Sequence, residues 1–476
     1  MSETWSTLGL DLLLELEPGA GRRTGLERAL REAIRSGRLA RREQLPSSRA
    51  LAGELGLARG TVSAAYDQLV AEGHLVARRG SGTRVADTVA PPSDRPAGAA
   101  GPPVPRLDVR PGSPDVSTFP AAAWLRAARR ALAAAPFSAY GYGDPRGRPE
   151  LRTALSAYLA RTRGVVAPPD RIVITSGYQQ ALSLLAAVAK ASGTKAFAME
   201  DPGLDFHRDI VARSGLRVLP LPVDRLGACT DLLAGRAYAE AAGVVVTPAH
   251  QYPTGVTLHP ARRHALAAWA RRTGGLVVED DYDGEFRYDR QPVGALQGMA
   301  PEHVVYVGSA SKTLAPGVRL GWMVLPAPLV DPVVEAKHYA DFQAETVGQL
   351  VLADLITSHA YDRHVRSCRL RYRRRRDVLV ERLQGSGASA RGITLRGIAA
   401  GLQTLLDLPL GGPTEGDVVA QAADRGLALT GLGVHWHTET DRHPDGLVVG
   451  FAAPPAHLFG TAVQVLVDVL RDAYGG

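Results

Sequence analysis

Lys312 is the residue with the clearest chemistry. The chain has 51 arginines and only three other lysines, Lys190, Lys195 and Lys337, so an amine at position 312 stands out against a composition that otherwise uses guanidinium. An amine condenses with an aldehyde to an imine, which a guanidinium does not do. Ser309, Ser311 and Arg319 lie within a few residues, in Gly308-Ser309-Ala310-Ser311-Lys312-Thr313-Leu314-Ala315-Pro316-Gly317-Val318-Arg319. Two hydroxyls and a guanidinium suit an anion such as a phosphate group held beside an imine. Further upstream, Ser176-Gly177-Tyr178-Gln179 opens a helix with free backbone N–H groups, the makings of a phosphate seat. Glu279-Asp280-Asp281-Tyr282-Asp283 supplies carboxylates. Without a histidine at ligand spacing, no metal site is expected from them. A single buried Asp could instead keep a pyridine nitrogen protonated.

These groups need a scaffold that brings them together. Apolar runs at Ile172 to Thr175, Ala196 to Met199, Val244 to Thr247, Leu276 to Val278, Val304 to Val307 and Trp322 to Leu325 alternate with helix-length segments. That alternation predicts an α/β fold, a mostly parallel sheet with helices on both faces. Ligands in such sheets bind at the carboxyl ends of strands. The stretches just named directly follow the runs.

The N-terminal part has a different character. Between Gly21 and Val85, thirteen arginines face six acids, a surplus equal to the formal net charge of +7 of the whole chain. A basic module on a neutral body suggests a polyanion-binding domain, with a solvated charged face as the plain alternative. Leu26, Leu30, Ala33 and Ile34 recur at helical spacing. Ser47 and Ser48 can cap a short second helix ended by Gly56, and a third helix from about Ala58 to Ala71 buries Val62, Ala65, Tyr66 and Leu69. Two short strands around Gly80-Ser81-Gly82 form a wing. In this geometry Arg59 and Thr61 are the base-edge candidates, Arg49 meets the backbone, and Arg78, Arg79 and Gly80 bring the wing to phosphates or the minor groove.

Leu45-Pro46-Ser47-Ser48-Arg49-Ala50-Leu51-Ala52, Ala58-Arg59-Gly60-Thr61-Val62 and Gly80-Ser81-Gly82-Thr83 resemble the GntR-type winged helix-turn-helix. Ala58 and Gly60 depart from it, because the family more often has Ser or Thr at 58 and a polar residue at 60. Ser309 to Trp322 is similar to the cofactor-lysine motif of fold-type I aminotransferases. Glu279 to Tyr288 and Thr247-Pro248-Ala249-His250-Gln251-Tyr252-Pro253-Thr254-Gly255 are similar to its version in MocR/GabR-type regulators, which join a GntR-type winged helix to an aminotransferase-like body.

The resemblance implies pyridoxal 5'-phosphate as cofactor. Lys312 would hold it as an imine, Asp280 would pair with the pyridine nitrogen and Tyr282 would bond the ring hydroxyl. Ser309, Ser311, Arg319 and the backbone around Gly177, Tyr178 and Gln179 would meet the phosphate. It also implies double-stranded DNA and a small-molecule effector as partners, and a head-to-tail homodimer. The expected domains are a winged helix-turn-helix at 1–85, a Pro/Ala/Gly-rich linker at 86–106 able to span about 60 Å if extended, and the effector body at 107–476 with a smaller C-terminal α+β part.

Two further departures bear on the ligand. Leu204 stands where the family usually has an aromatic stacked on the cofactor ring, with Phe206 as a substitute. Gly446 stands where an aminotransferase usually carries its carboxylate-gripping arginine. Arg442 is close in sequence, and His435, His437 and His443 read as surface or loop residues. The apolar run Leu8 to Leu16 is too short and too acidic to cross a bilayer or act as a leader, and two cysteines make no disulfide framework. A soluble, cytoplasmic regulator of transcription is therefore expected, sensing an amine, an amino acid or the cofactor itself. An active aminotransferase with an accessory DNA-binding module is the alternative.

Overall fold

The computed structural model describes residues 21–78, 82–87, 105–288, 293–438 and 443–475. The chain divides into two compact units, which part between Val104 and Pro105.

In the first unit, helices Arg22–Arg35, Ser48–Leu55 and Arg59–Ala71 precede the antiparallel strands Leu75–Arg78 and Gly82–Val85. The helical spacing of apolar residues explains the packing, since Leu26, Leu30, Ile34, Val62, Ala65, Tyr66 and Leu69 close one core with Leu51, Leu75 and Val85. Ser47 caps the second helix by accepting the N–H of Ala50 at 3.2 Å. Gly56 ends that helix at φ +62°, where a Cβ is disfavoured. Ala58 precedes the third helix and offers it no side-chain cap.

The second unit is built on an eight-stranded sheet. In spatial order its strands are Ile172–Thr175, Gly321–Val324, Val304–Ser309, Leu276–Asp280, Ala241–Val246, Ala196–Asp201, Arg217–Asp224 and Gly227–Ala228. Five neighbouring strands run parallel. Gly321–Val324 is antiparallel to both its neighbours, and Gly227–Ala228 is antiparallel at the far edge. The near-continuous apolar runs follow from burial on both faces. Arg217–Asp224 and the two-residue Gly227–Ala228 are the strands of this sheet that sequence patterning misses, the longer of them for a physical reason. Pro220 and Pro222 interrupt it and much of it is half-buried, so it lacks the apolar run of an interior strand.

The C-terminal part packs the 26-residue helix Ala360–Gly385 with helices Glu415–Asp424 and Ala456–Tyr474 against a four-stranded antiparallel sheet. Leu107–Asp108 pairs in parallel with Leu427–Ala428, tying the beginning of this unit to its end.

Candidate cofactor pocket and DNA-reading face

Strand register assembles the pocket. Ser309 pairs with Gly321, Gly321 pairs with Thr175, and Val307 pairs with Asp280. The residues following these strand ends therefore converge from segments more than a hundred positions apart. Gly177 sits at φ +130°, and a Cβ on Gly321 would lie 2.8 Å from its Cα, so both positions need glycine. Helix Tyr178–Ala191 starts directly after this turn. Its first N–H groups have no partner within the helix, and Tyr178 and Gln179 line the pocket together with Arg319, which lies against Gly177.

A cavity of about 320 Å³ is lined by Lys312, Asp280, Tyr282, Ser309, Ser311, Arg319, Gly177, Tyr178 and Gln179. All nine residues assigned to the cofactor by resemblance thus meet around one space. Ser309 Oγ donates to Ser311 Oγ at 2.8 Å and accepts the N–H of Ser311 at 3.0 Å. Lys312 Nζ donates to the carbonyl of Gly112. Burial pulls its amine below the ordinary lysine range, opposed by Asp280 and Asp283.

The acid cluster separates into individual roles. Glu279 accepts the N–H groups of Leu296 and Gln297, each at 2.8 Å. Asp281 takes a two-pronged contact from Arg163, at 2.7 and 2.9 Å, and the hydroxyl of Tyr306 at 2.7 Å. Asp283 meets His250 Nδ1 at 2.9 Å. Asp280 differs: its Oδ1 is buried and makes no hydrogen bond, with the likewise unpaired Tyr178 hydroxyl close by, and burial, then Asp281, push its carboxyl well above the usual range. A buried orphan acceptor costs roughly 1–3 kcal/mol, and a ring N–H entering the cavity would relieve it. The residues present therefore fit a protonated pyridine carrying a phosphate.

Tyr282 offers its hydroxyl to the same space, accepting from Gln403 Nε2 at 2.7 Å and lying 3.1 Å from His250 Nδ1. Neither Gln403 nor His250 was singled out from sequence, because neither adjoins its partner in the chain.

The structure corrects two expectations. Phe206 is 49% exposed and does not line the cavity, so it provides no ring cover. Helical geometry turns it outward and brings His207 inward, where the imidazole packs 4.5 Å from the Tyr178 ring. Burial, then Lys312, push His207 down to about 3, so it stays neutral. His435 is buried rather than on the surface, 3.4 Å from the Tyr252 hydroxyl. Its carbonyl accepts from Gly203 N and from Arg208, both at 2.9 Å. Gly446 begins a sheet strand, and its N–H goes to Glu415. Arg442 lies outside the described residues.

On the first unit, Arg49, Arg59 and Arg78 are exposed, and no carboxylate lies within 4 Å of them among the described residues. Thr61 is half-buried at the start of the third helix. Arg31, by contrast, is spent on Glu72, and Arg84 on Gln44. Arg79 and Gly80 lie outside the described residues.

Comparison with known proteins gives both units a family. Residues 23–85 match the bacterial regulatory proteins of the gntR family, and residues 112–410 match aminotransferase class I and II. The pyridoxine biosynthesis transcriptional regulator PdxR of Corynebacterium glutamicum is 32% identical over 437 residues, 90% of this chain and 92% of that protein. The chain belongs to the MocR/GabR-type transcriptional regulators. The probable rhizopine catabolism regulatory protein MocR of Rhizobium meliloti is likewise 32% identical, over 78% of each chain. Among solved structures, an archaeal alanine:glyoxylate aminotransferase superposes with a TM-score of 0.70 over 78% of this regulator and 92% of its own chain. At 23% identity that likeness speaks for the fold. The regulator thus carries a DNA-binding helix-turn-helix of GntR type on a body of a pyridoxal phosphate-dependent fold. No helix among the described residues is long and apolar enough to cross a membrane.

Proposed function

We propose that the regulator takes up pyridoxal 5'-phosphate in the body and reads an amine, an amino acid or the supply of the cofactor itself there, changing how the winged unit engages DNA. The observation that carries this reading is the buried, unpartnered Oδ1 of Asp280 facing the same cavity as the Lys312 amine. Bound there, the cofactor supplies an aldehyde that condenses with amines and a ring that withdraws electrons.

The chain's own residues have separable tasks. Arg319, Ser309, Ser311 and the backbone N–H groups of Tyr178 and Gln179 hold the phosphate dianion. Asp280 keeps the ring nitrogen protonated, because a carboxylate so poorly solvated gains most from an adjacent cation. Gln403 donates onto the Tyr282 oxygen. If His250 Nδ1–H is given to Asp283, the Tyr282 proton is free to point into the cavity. Lys312 is the attachment amine.

The same reading takes a ligand lacking the usual α-carboxylate anchor, because Gly446 stands where an aminotransferase usually carries the gripping arginine. The strand Gly446–Gly450 carries no guanidinium, and Val448 is buried with Leu405 and Leu432. Arg208 lines the cavity but donates to the carbonyls of Gly203, His435 and Trp436. A head-to-tail homodimer belongs to the same reading, supported by the exposed aromatics Phe137, Tyr142 and Tyr339 on the body.

The test is retention of the cofactor by the full-length protein. After incubation with pyridoxal phosphate and borohydride reduction, wild type keeps the chromophore through denaturation and Lys312→Ala does not. Equal retention removes Lys312 from this role. Sustained turnover of an amino donor and a keto acid would favour the enzyme alternative.

A further inference from the structure

Lys337 is one of only four lysines in the chain and is 0% exposed. Its Nζ donates to both carboxylate oxygens of Asp341, at 2.6 and 2.8 Å. Helix stability does not explain this pair. Asp341 ends helix Ala327–Asp341, where the macrodipole disfavours an anion, and lysine four residues before an acid is the weaker order for a helical ion pair. Burying an ammonium adds a desolvation cost. Local physics argues against both residues, so the arrangement answers to something beyond the helix.

Asp341 Oδ2 also accepts Gln180 Nε2 at 2.7 Å, and Gln180 Oε1 accepts the N–H of Ser176 at 2.8 Å. The carboxylate thereby fixes which way the amide points, since only its NH₂ can donate. Gln180 is the third residue of helix Tyr178–Ala191, whose start forms the anion-facing end of the pocket. With the Ser176 N–H spent on Gln180, and that of Gly177 turned to Thr175 Oγ1 at 3.4 Å, the next two N–H groups in line are those of Tyr178 and Gln179.

The far end of this relay is anchored by strain. Phe342 has φ +63° and ψ −64°, and Gln343 N donates to the Asp341 carbonyl at 2.7 Å. That is the positive-φ γ-turn, a rare and strained form. Such strain persists where surroundings over-determine it. Here the Phe342 ring lies 5.1 Å from that of Tyr142 and 4.7 Å from that of His338, and Gln343 Oε1 accepts the N–H of Gly143.

We propose that Lys337, Asp341 and Gln180 are positioning residues that orient the phosphate seat and thereby set how strongly the regulator prefers a phosphorylated ligand to the same ligand without its phosphate. The proposal rests on the cofactor reading of the pocket. None of the three touches the ligand; they act through the peptide between Thr175 and Gly177. Releasing that peptide leaves the lysine, the acid and the ring pocket in place and loosens only the anion end.

The experiment compares pyridoxal phosphate with pyridoxal, measuring dissociation constants for both by absorbance on the full-length protein stripped of cofactor. Lys337→Met and Gln180→Ala are each expected to weaken the phosphorylated ligand about ten-fold, the size of one weakened hydrogen bond to a charged group, while pyridoxal is expected to change little. Gln180→Ala deletes a half-buried side chain and strands no charge, so it remains informative if Lys337→Met fails to fold. Equal losses for both ligands, or no loss for either, overturn the proposal. Wild-type protein that takes up neither ligand overturns the cofactor reading itself, and this proposal with it.

Discussion

The two units handle charge in opposite ways. In the winged unit, Arg49, Arg59 and Arg78 are exposed with no carboxylate at hand among the described residues, on the second helix, at the start of the third and in the wing. In the body, nearly every charged group near the pocket has a fixed partner: Arg163 with Asp281, His250 with Asp283, Arg208 with three carbonyls. A surface that reads a polyanion profits from long side chains that displace counterions when DNA arrives. A pocket for one small molecule profits from groups held before the ligand comes. Asp280 and Arg319 are exceptions among the described residues of the body, and they are of the winged unit's kind, ionisable groups left open for a partner outside the chain.

The largest effect should come from exchanging that openness for its neighbour's closure. Asp281→Asn leaves the Arg163 guanidinium buried with half its partner gone and should cost about 3 kcal/mol of stability, seen as a lower unfolding midpoint. Asp280→Asn should leave the midpoint unchanged or raise it, because it removes a poorly solvated carboxyl, yet it should weaken cofactor binding strongly. If both variants lose stability alike, the distinction between a structural and a ligand-facing carboxylate is broken.

On the winged unit, Arg59→Ala should cost about 1–3 kcal/mol of operator affinity and relax sequence preference. Arg78→Ala should weaken all sequences evenly and reduce the salt slope by about one. Binding isotherms at several salt concentrations check both. Identical behaviour of the two variants would assign them the same role and remove the division between base and backbone contact.

A titration sharpens the comparison further. Glu200 lines the cavity, and burial, only partly offset by its bonds to Thr247 and Gln251, pushes it up from 4.5 to about 7. The folded chain therefore holds this proton to higher pH than the unfolded one. Its stabilising contribution is complete below 4.5 and is lost as pH rises through about 7. Glu200→Gln should flatten that part of the stability profile; an unchanged profile would mean that Glu200 stays ionised in the fold.

The smallest effect is local. Ala58→Ser restores a capping hydroxyl to the third helix and should add about 1 kcal/mol to the winged unit's stability. A change in operator preference with no change in stability would make position 58 a contact rather than a cap.

Much of this architecture was legible in the chain. The basic surplus between Gly21 and Val85, the apolar spacing of Leu26, Leu30 and Ile34, and the lysine among serines at 309 to 312 each depend on residues close in sequence, where periodicity and composition report directly on structure. The strand Arg217–Asp224, next to the sheet's far edge, escaped because its prolines and half-burial erase the apolar run that marks the other strands. His207 was overlooked beside Phe206 because a single helical step decides which of two neighbouring rings faces inward.

By itself, then, the sequence determined the local elements and the kinds of chemical group at hand, since those follow from neighbours a few residues apart. Only the tertiary structure decided which carboxylate is left unpaired, which ring faces the cavity, and that Lys337 reaches the phosphate seat through Asp341 and Gln180. Those outcomes depend on burial and on partners up to 161 positions away. Desolvation and hydrogen-bond satisfaction are properties of the packed interior, and no short window of sequence contains them.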